Sequence, residues 1–144
     1  MKSMNKKSVI LVLFMFVASL VFSQKEVGIW KTIDDNTKKE KSHVEIYIKN
    51  GKLYGKVVKI LDQSRANAKC TECKGDLYNK PIVGMQIING LEKRKDDWYK
   101  KEGILDPENG KLYDCKIWLS DNNTLQVRGY LGPFYRTQTW YRIK

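Results

Sequence analysis

The chain has 144 residues, with 27 Lys or Arg against 16 Asp or Glu and a net charge of +11. That length allows one domain with its own core and excludes two. Such a basic excess points to nucleic acid, anionic head groups or cell-wall polyanions as partners, or simply to a well-solvated surface.

Residues 1–8 carry Lys2, Lys6 and Lys7, and the next 14, Val9–Phe22, are apolar except for Ser19. A basic start, a short apolar run and small residues at Val21 and Ser23 describe a secretory signal peptide cut before Gln24. The run falls short of the roughly 20 residues a spanning helix needs. No cysteine follows it to take a lipid anchor. Removing 23 of the 144 residues leaves 121, and 24 basic residues against 16 acidic give the mature chain a charge of +8. The expected domains are a signal peptide, 1–23, and one exported, periplasmic domain, 24–144. Export makes nucleic acid the least suitable partner, and the Lys residues are scattered rather than clustered, which favours a solvated surface.

In chain order, Val27–Ile33 reads as a strand and Asp34–Lys41 as a turn too charged to be buried. His43–Lys49 alternates, with Val44, Ile46 and Ile48 on one side. Asn50-Gly51 then marks a tight hairpin into Lys52–Leu61. Asp62–Pro81 is a long polar loop holding Cys70-Thr71-Glu72-Cys73, long enough to need a staple or a role. Ile82–Ile88 reads as a strand ended by Asn89-Gly90, and the charged run Glu92–Asp97 as a solvated turn. Asp97–Leu105 is a strand, and Asp106–Gly110 a turn by its Pro and Gly chemistry. Lys111–Ser120 places Tyr113, Cys115, Ile117 and Leu119 on one face. Thr124–Leu131 and Thr137–Ile143 close the series. Eight strands and no helical period predict an all-β fold: an eight-stranded antiparallel up-and-down barrel whose first and last strands meet. Such a barrel is either filled by side chains or holds one small ligand.

Several segments together resemble a family of uncharacterised secreted bacterial proteins, the domain of unknown function numbered 2147. They are Gly28-Ile29-Trp30, Cys70-x-x-Cys73-x-Gly75, Pro81–Met85, Gly103–Pro107 with Gly110-Lys111, Val127–Tyr130 and Arg136–Trp140. The resemblance covers nearly all of the mature chain and implies a small lipocalin-like barrel. The Gly-x-Trp start is similar to the lipocalin signature, which implies that Trp30 packs under Arg142 to seal the closed end, with Gly28 beside them. Leu131–Tyr135 departs from the family pattern, where a second Gly is expected before Arg136.

The cysteines admit a disulfide in an oxidising compartment, a metal site of Cys70, Cys73 and Cys115 with His43, or a redox pair. A loop in an all-β chain favours the disulfide. Which of the three thiols is left over cannot be read from spacing. His43 reads as an exposed lone histidine. No nucleophile elbow, phosphate-cradling loop or paired histidine is present. Arg128 and Tyr130 share one face of their strand, as do Gln138, Trp140 and Arg142 of the next, and the two runs are expected side by side. Turned inward, they would take a small anionic amphiphile. Turned outward, as the apolar Leu125 and Val127 on the other face favour, they would be surface pairs. The expected function is a non-enzymatic binding protein for a small hydrophobic or amphipathic ligand in the barrel. It would use Trp98, Tyr113, Arg128, Tyr130, Arg136, Gln138 and Trp140, without metal or cofactor. The alternatives are a filled barrel docking by a basic, aromatic surface on an envelope partner, and a thiol-based metal or redox site.

Overall fold

The computed structural model describes residues 24–144, so the expected signal peptide lies outside the described residues. Eight strands follow one another: β1 (Gly28–Ile33), β2 (Glu40–Lys49), β3 (Lys52–Ile60), β4 (Gln86–Lys93), β5 (Trp98–Asp106), β6 (Lys111–Asp121), β7 (Thr124–Leu131) and β8 (Phe134–Arg142). Each pairs antiparallel with the next, and β1 pairs with β8, closing the barrel. No helix among the described residues is long and apolar enough to cross a membrane.

The hairpins follow from local chemistry. Asn50 and Gly51 both take positive φ, 52° and 73°, so Lys49 pairs with Lys52 and the alternating apolar residues of β2 and β3 fall on one face. Trp30, Val44, Ile46, Leu53, Val57, Ile88, Leu91, Ile117, Leu125 and Val127 are buried from that face and form the core.

The fourth strand differs from expectation. It starts at Gln86 and runs through Asn89-Gly90 to Lys93, and the register slips on both sides of it. Gly90, at φ +69°, sits inside this strand instead of ending it. Residues 82–85 are not a strand. Pro81 lacks an N–H, and Gly84 takes φ +90°, yet Ile82 and Met85 are buried and the segment lies along β3, where Val57 donates to the Met85 carbonyl at 3.0 Å. Glu40–Ser42 and Phe134–Arg136 extend β2 and β8 beyond the expected limits, because ladder partners rather than apolar alternation define a strand's ends.

The Asn50-Gly51 turn, the 94–97 turn and the 122–123 turn share one end of the barrel with residues 24–27. The opposite end, the mouth, carries the 34–39 turn, the long 61–85 loop, the 107–110 turn and the Gly132-Pro133 turn. The long loop is folded down rather than free. Cys70 and Cys73 form a disulfide and are buried, and Cys70 Sγ lies 3.2 Å from the Pro107 carbonyl oxygen. Gly110, at φ +70°, has no room for a side chain, since a Cβ there would collide with the Glu72 carbonyl.

Candidate ligand-binding site

The closed end is sealed by β1 and the end of β8. Trp30 is fully buried and donates its indole N–H to the Glu26 carbonyl at 2.9 Å. The Arg142 guanidinium lies 4.3 Å over the Trp30 ring. It donates to the carbonyls of Asn122 at 2.8 Å, Val27 at 2.9 Å, and Lys25. A Cβ on Gly28 would stand 2.7 Å from an Arg142 terminal nitrogen, so glycine makes room for the plug.

Above this floor the lumen is occupied by side chains. Trp98 and Trp140 are buried among the aliphatic residues of the core, and Cys115 is fully buried beside Ile117. Two open concavities among the described residues lie outside the barrel. One, about 420 Å³, adjoins Arg142, Asn122 and Lys25 at the closed end, and the other, about 320 Å³, lies on the long loop around Pro81 and Met85. A ligand sunk into the lumen, as the barrel alone would suggest, therefore finds Trp140 and its neighbours already there.

The register of β7 with β8 corrects the expectation that their polar runs lie side by side. The two-residue turn at Gly132-Pro133 pairs Leu131 with Phe134, and so every even-numbered residue of β7 with an odd-numbered one of β8. Val127 faces Gln138 and Leu125 faces Trp140, inside; Arg128 faces Thr137 and Tyr130 faces Tyr135, outside. A one-residue difference in pairing parity moves the whole set to the other face. Trp140, Gln138 and Arg136 thus belong to the inner face, while Arg128 and Tyr130 lie on the outer wall. Trp98 is on the inner face near the floor, and its indole N–H has no hydrogen-bond partner among the described residues.

The mouth is where polar groups reach the inner face. Trp140 donates its indole N–H to Gln138 Oε1 at 3.1 Å. Gln138 Nε2 in turn donates to Asp35 Oδ2 at 2.8 Å, and the same oxygen lies 3.2 Å from Arg136 Nε. Asp35 comes from the 34–39 turn, so a carboxylate is laid across the mouth onto an amide and a guanidinium. The β7–β8 hairpin continues past this point with its inner-parity residues uncovered: Leu131 is 56% and Phe134 76% exposed, and the Arg136 side chain 68%. Gly129, opposite Arg136, leaves its side-chain position open, 3.5 Å from the Cβ of Tyr113. Tyr113 is half-buried and accepts from Asn109 Nδ2 at 2.9 Å. The sequence reading missed Asp35. Its side chain reaches a partner 103 residues away, and no spacing carries that information.

The remaining candidates are dispersed. His43 is half-buried on β2, opposite Lys59, and its pKa is lowered by partial burial and by the Lys59 and Lys31 charges, against the pull of Glu40. Burial alone pushes the free Cys115 thiol far up. No group of three or more His, Cys, Asp or Glu among the described residues is arranged to hold a metal ion. The charged 92–97 run is more than a turn: Asp97 accepts from Arg94 Nε at 2.6 Å and lies 3.5 Å from Lys116 Nζ.

A family model described as an uncharacterised protein conserved in bacteria, DUF2147, matches residues 28–142. Among solved structures the chain is similar to protein HP1028 from the human pathogen Helicobacter pylori, which belongs to the lipocalin family. The TM-score is 0.69 at 25% sequence identity, and 82% of each chain is covered. No curated protein matches the chain.

Proposed function

The chain belongs to the DUF2147 family, and from that membership and its lipocalin-like barrel we propose that it is an exported, non-enzymatic binding protein that holds a small anionic amphiphile at the barrel mouth. The observation that carries the reading is the Asp35 carboxylate seated between Arg136 and Gln138. It occupies the place a ligand carboxylate or phosphate would take, and it comes from a turn rather than from a strand of the barrel. The head group would gain a charge-assisted hydrogen bond from Arg136 and a second bond from the Gln138 amide. The apolar part would lie on Leu131 and Phe134, whose exposure at the rim otherwise has no partner among the described residues. Covering those two side chains is worth roughly 1.5–3 kcal/mol each. Together with the head group, and after ordering costs, that fits an affinity of about micromolar rather than nanomolar. The Cys70–Cys73 disulfide supports a location outside the reducing cytoplasm.

Titration with a dansyl-labelled undecanoate tests this. Saturable binding is expected, weakened at least about tenfold by Arg136→Gln and tightened by Asp35→Ala, which removes the competing carboxylate. Absence of binding to both the natural chain and the Asp35→Ala variant would reject the site. The filled lumen supports a second reading, in which the barrel is a rigid scaffold that docks through its basic outer surface.

A further inference from the structure

The outer wall of β5–β8 carries cations stacked on aromatic rings. The Arg94 guanidinium lies 4.4 Å over Tyr99 and Lys116 Nζ 5.0 Å over Trp118. The Arg128 guanidinium stands between two rings, 5.0 Å from Trp118 and 4.4 Å from Tyr135. What neutralises them differs. Arg94 and Lys116 share the carboxylate of Asp97. Burial opposes ionisation of that carboxyl, but the Arg94 hydrogen bond and the Arg94 and Lys116 charges outweigh it, and its pKa is lowered. Arg128 pairs with no carboxylate among the described residues. Its Nε–H donates to Thr137 Oγ1 at 2.7 Å, and its two terminal nitrogens have no hydrogen-bond partner there.

A guanidinium held by two rings and a hydroxyl has already lost most of its rotamer freedom. It presents a planar fork that matches an oxyanion. Around it the wall supplies neutral hydrogen-bonding groups: Thr139 donates to Gln126 at 3.0 Å, and Gln126 donates to Ser120 at 3.1 Å. We infer that this wall binds an acidic polysaccharide, with a sugar carboxylate seated on Arg128 and a neighbouring sugar ring lying against the exposed Tyr135. The charge of +8 on residues 24–144 complements a polyanion. The two most exposed large aliphatic or phenyl side chains among the described residues, Leu131 and Phe134, belong to the mouth hairpin rather than to this wall.

Polygalacturonate binding at low salt, followed by calorimetry, is the test. The natural chain binds, more weakly as salt is added. Arg128→Gln loses at least about tenfold in affinity, and Arg128→Lys, which keeps the charge without the fork, loses several-fold. Lys52→Gln, on β3 and paired with Glu92, binds as the natural chain does, which separates this wall from net charge alone. Arg128→Lys also serves if the Gln variant fails to fold. Affinity unchanged in Arg128→Lys and Arg128→Gln overturns the inference. So does a natural chain that binds phosphatidylglycerol vesicles but not polygalacturonate, or that binds neither.

Discussion

Arg142 and Arg136 lie six residues apart on one strand and serve opposite ends of the barrel. Arg142 lays its guanidinium on a fully buried indole and donates to three backbone carbonyls. Arg136 is 68% exposed and meets one carboxylate. Hydrogen bonds of a charged group are worth about 1.5–3 kcal/mol, towards the lower end where they are exposed as these three are, whereas an exposed ion pair is worth about 1 kcal/mol or less. Replacing Arg142 with Met, which keeps much of the packing, should therefore destabilise the fold by roughly 2 kcal/mol. It should appear as a lower urea midpoint at unchanged slope. Arg136→Gln should leave the midpoint where it is. Equal midpoints for the two variants would show that the floor contact does no more than the mouth contact. A small stability value for Arg136 leaves the proposed exchange of Asp35 for a ligand inexpensive.

The long 61–85 loop shows how an element can be held without secondary structure. Its disulfide spans only three positions of sequence, so it fixes the local path and not the docking. Docking comes from buried Ile82 and Met85, and from Glu108, whose carboxylate meets Arg65 of the loop at 3.1 Å and Lys41 of β2 at 3.1 Å. Burial opposes ionisation of Glu108. The Lys41 hydrogen bond and charge, followed by those of Arg65, outweigh it and hold the folded pKa below the ordinary 4.5. A carboxyl depressed in this way contributes fully above about pH 4.5 and loses its contribution as the pH falls through the folded value. The protection of residues 61–70, the intrinsic exchange rate at each pH relative to the observed one, should therefore fall below that pH. Glu108→Gln should show the lower protection already at pH 7 and respond less to acid. Loop protection in the natural chain that stays constant between pH 6 and 3 would remove Glu108 as the latch.

At this scale the sequence was legible where chemistry is local. Asn50-Gly51 dictated its hairpin, and the alternation of β2, β6 and β7 gave their inner faces. It was misleading at Asn89-Gly90, where turn chemistry serves a bulge within β4. The burial of Ile82 and Met85 in a segment that is not a strand likewise had no local signature.

Closure of the whole barrel rests on a narrow seam. Only Trp30 with Arg142 and Lys31 with Tyr141 are paired between β1 and β8, and the Ile143 amide adds a bond to the Ile29 carbonyl at 2.9 Å. Deleting residues 24–33 would expose the edges of β2 and β8 and remove the indole at the floor. The shortened chain should associate or precipitate, as size-exclusion chromatography would show. A monomeric product with a native far-ultraviolet spectrum would mean that closure is dispensable.

The sequence by itself determined the strand count and the hairpin order. Both follow from side-chain period and turn chemistry within about a dozen neighbouring residues. Only the tertiary structure decided that the lumen is filled, that Gln138 faces in rather than lying beside Arg128, and that Asp35 reaches across the mouth. Those depend on pairing parity and on contacts between residues far apart in the chain, where one position of slip reverses a face.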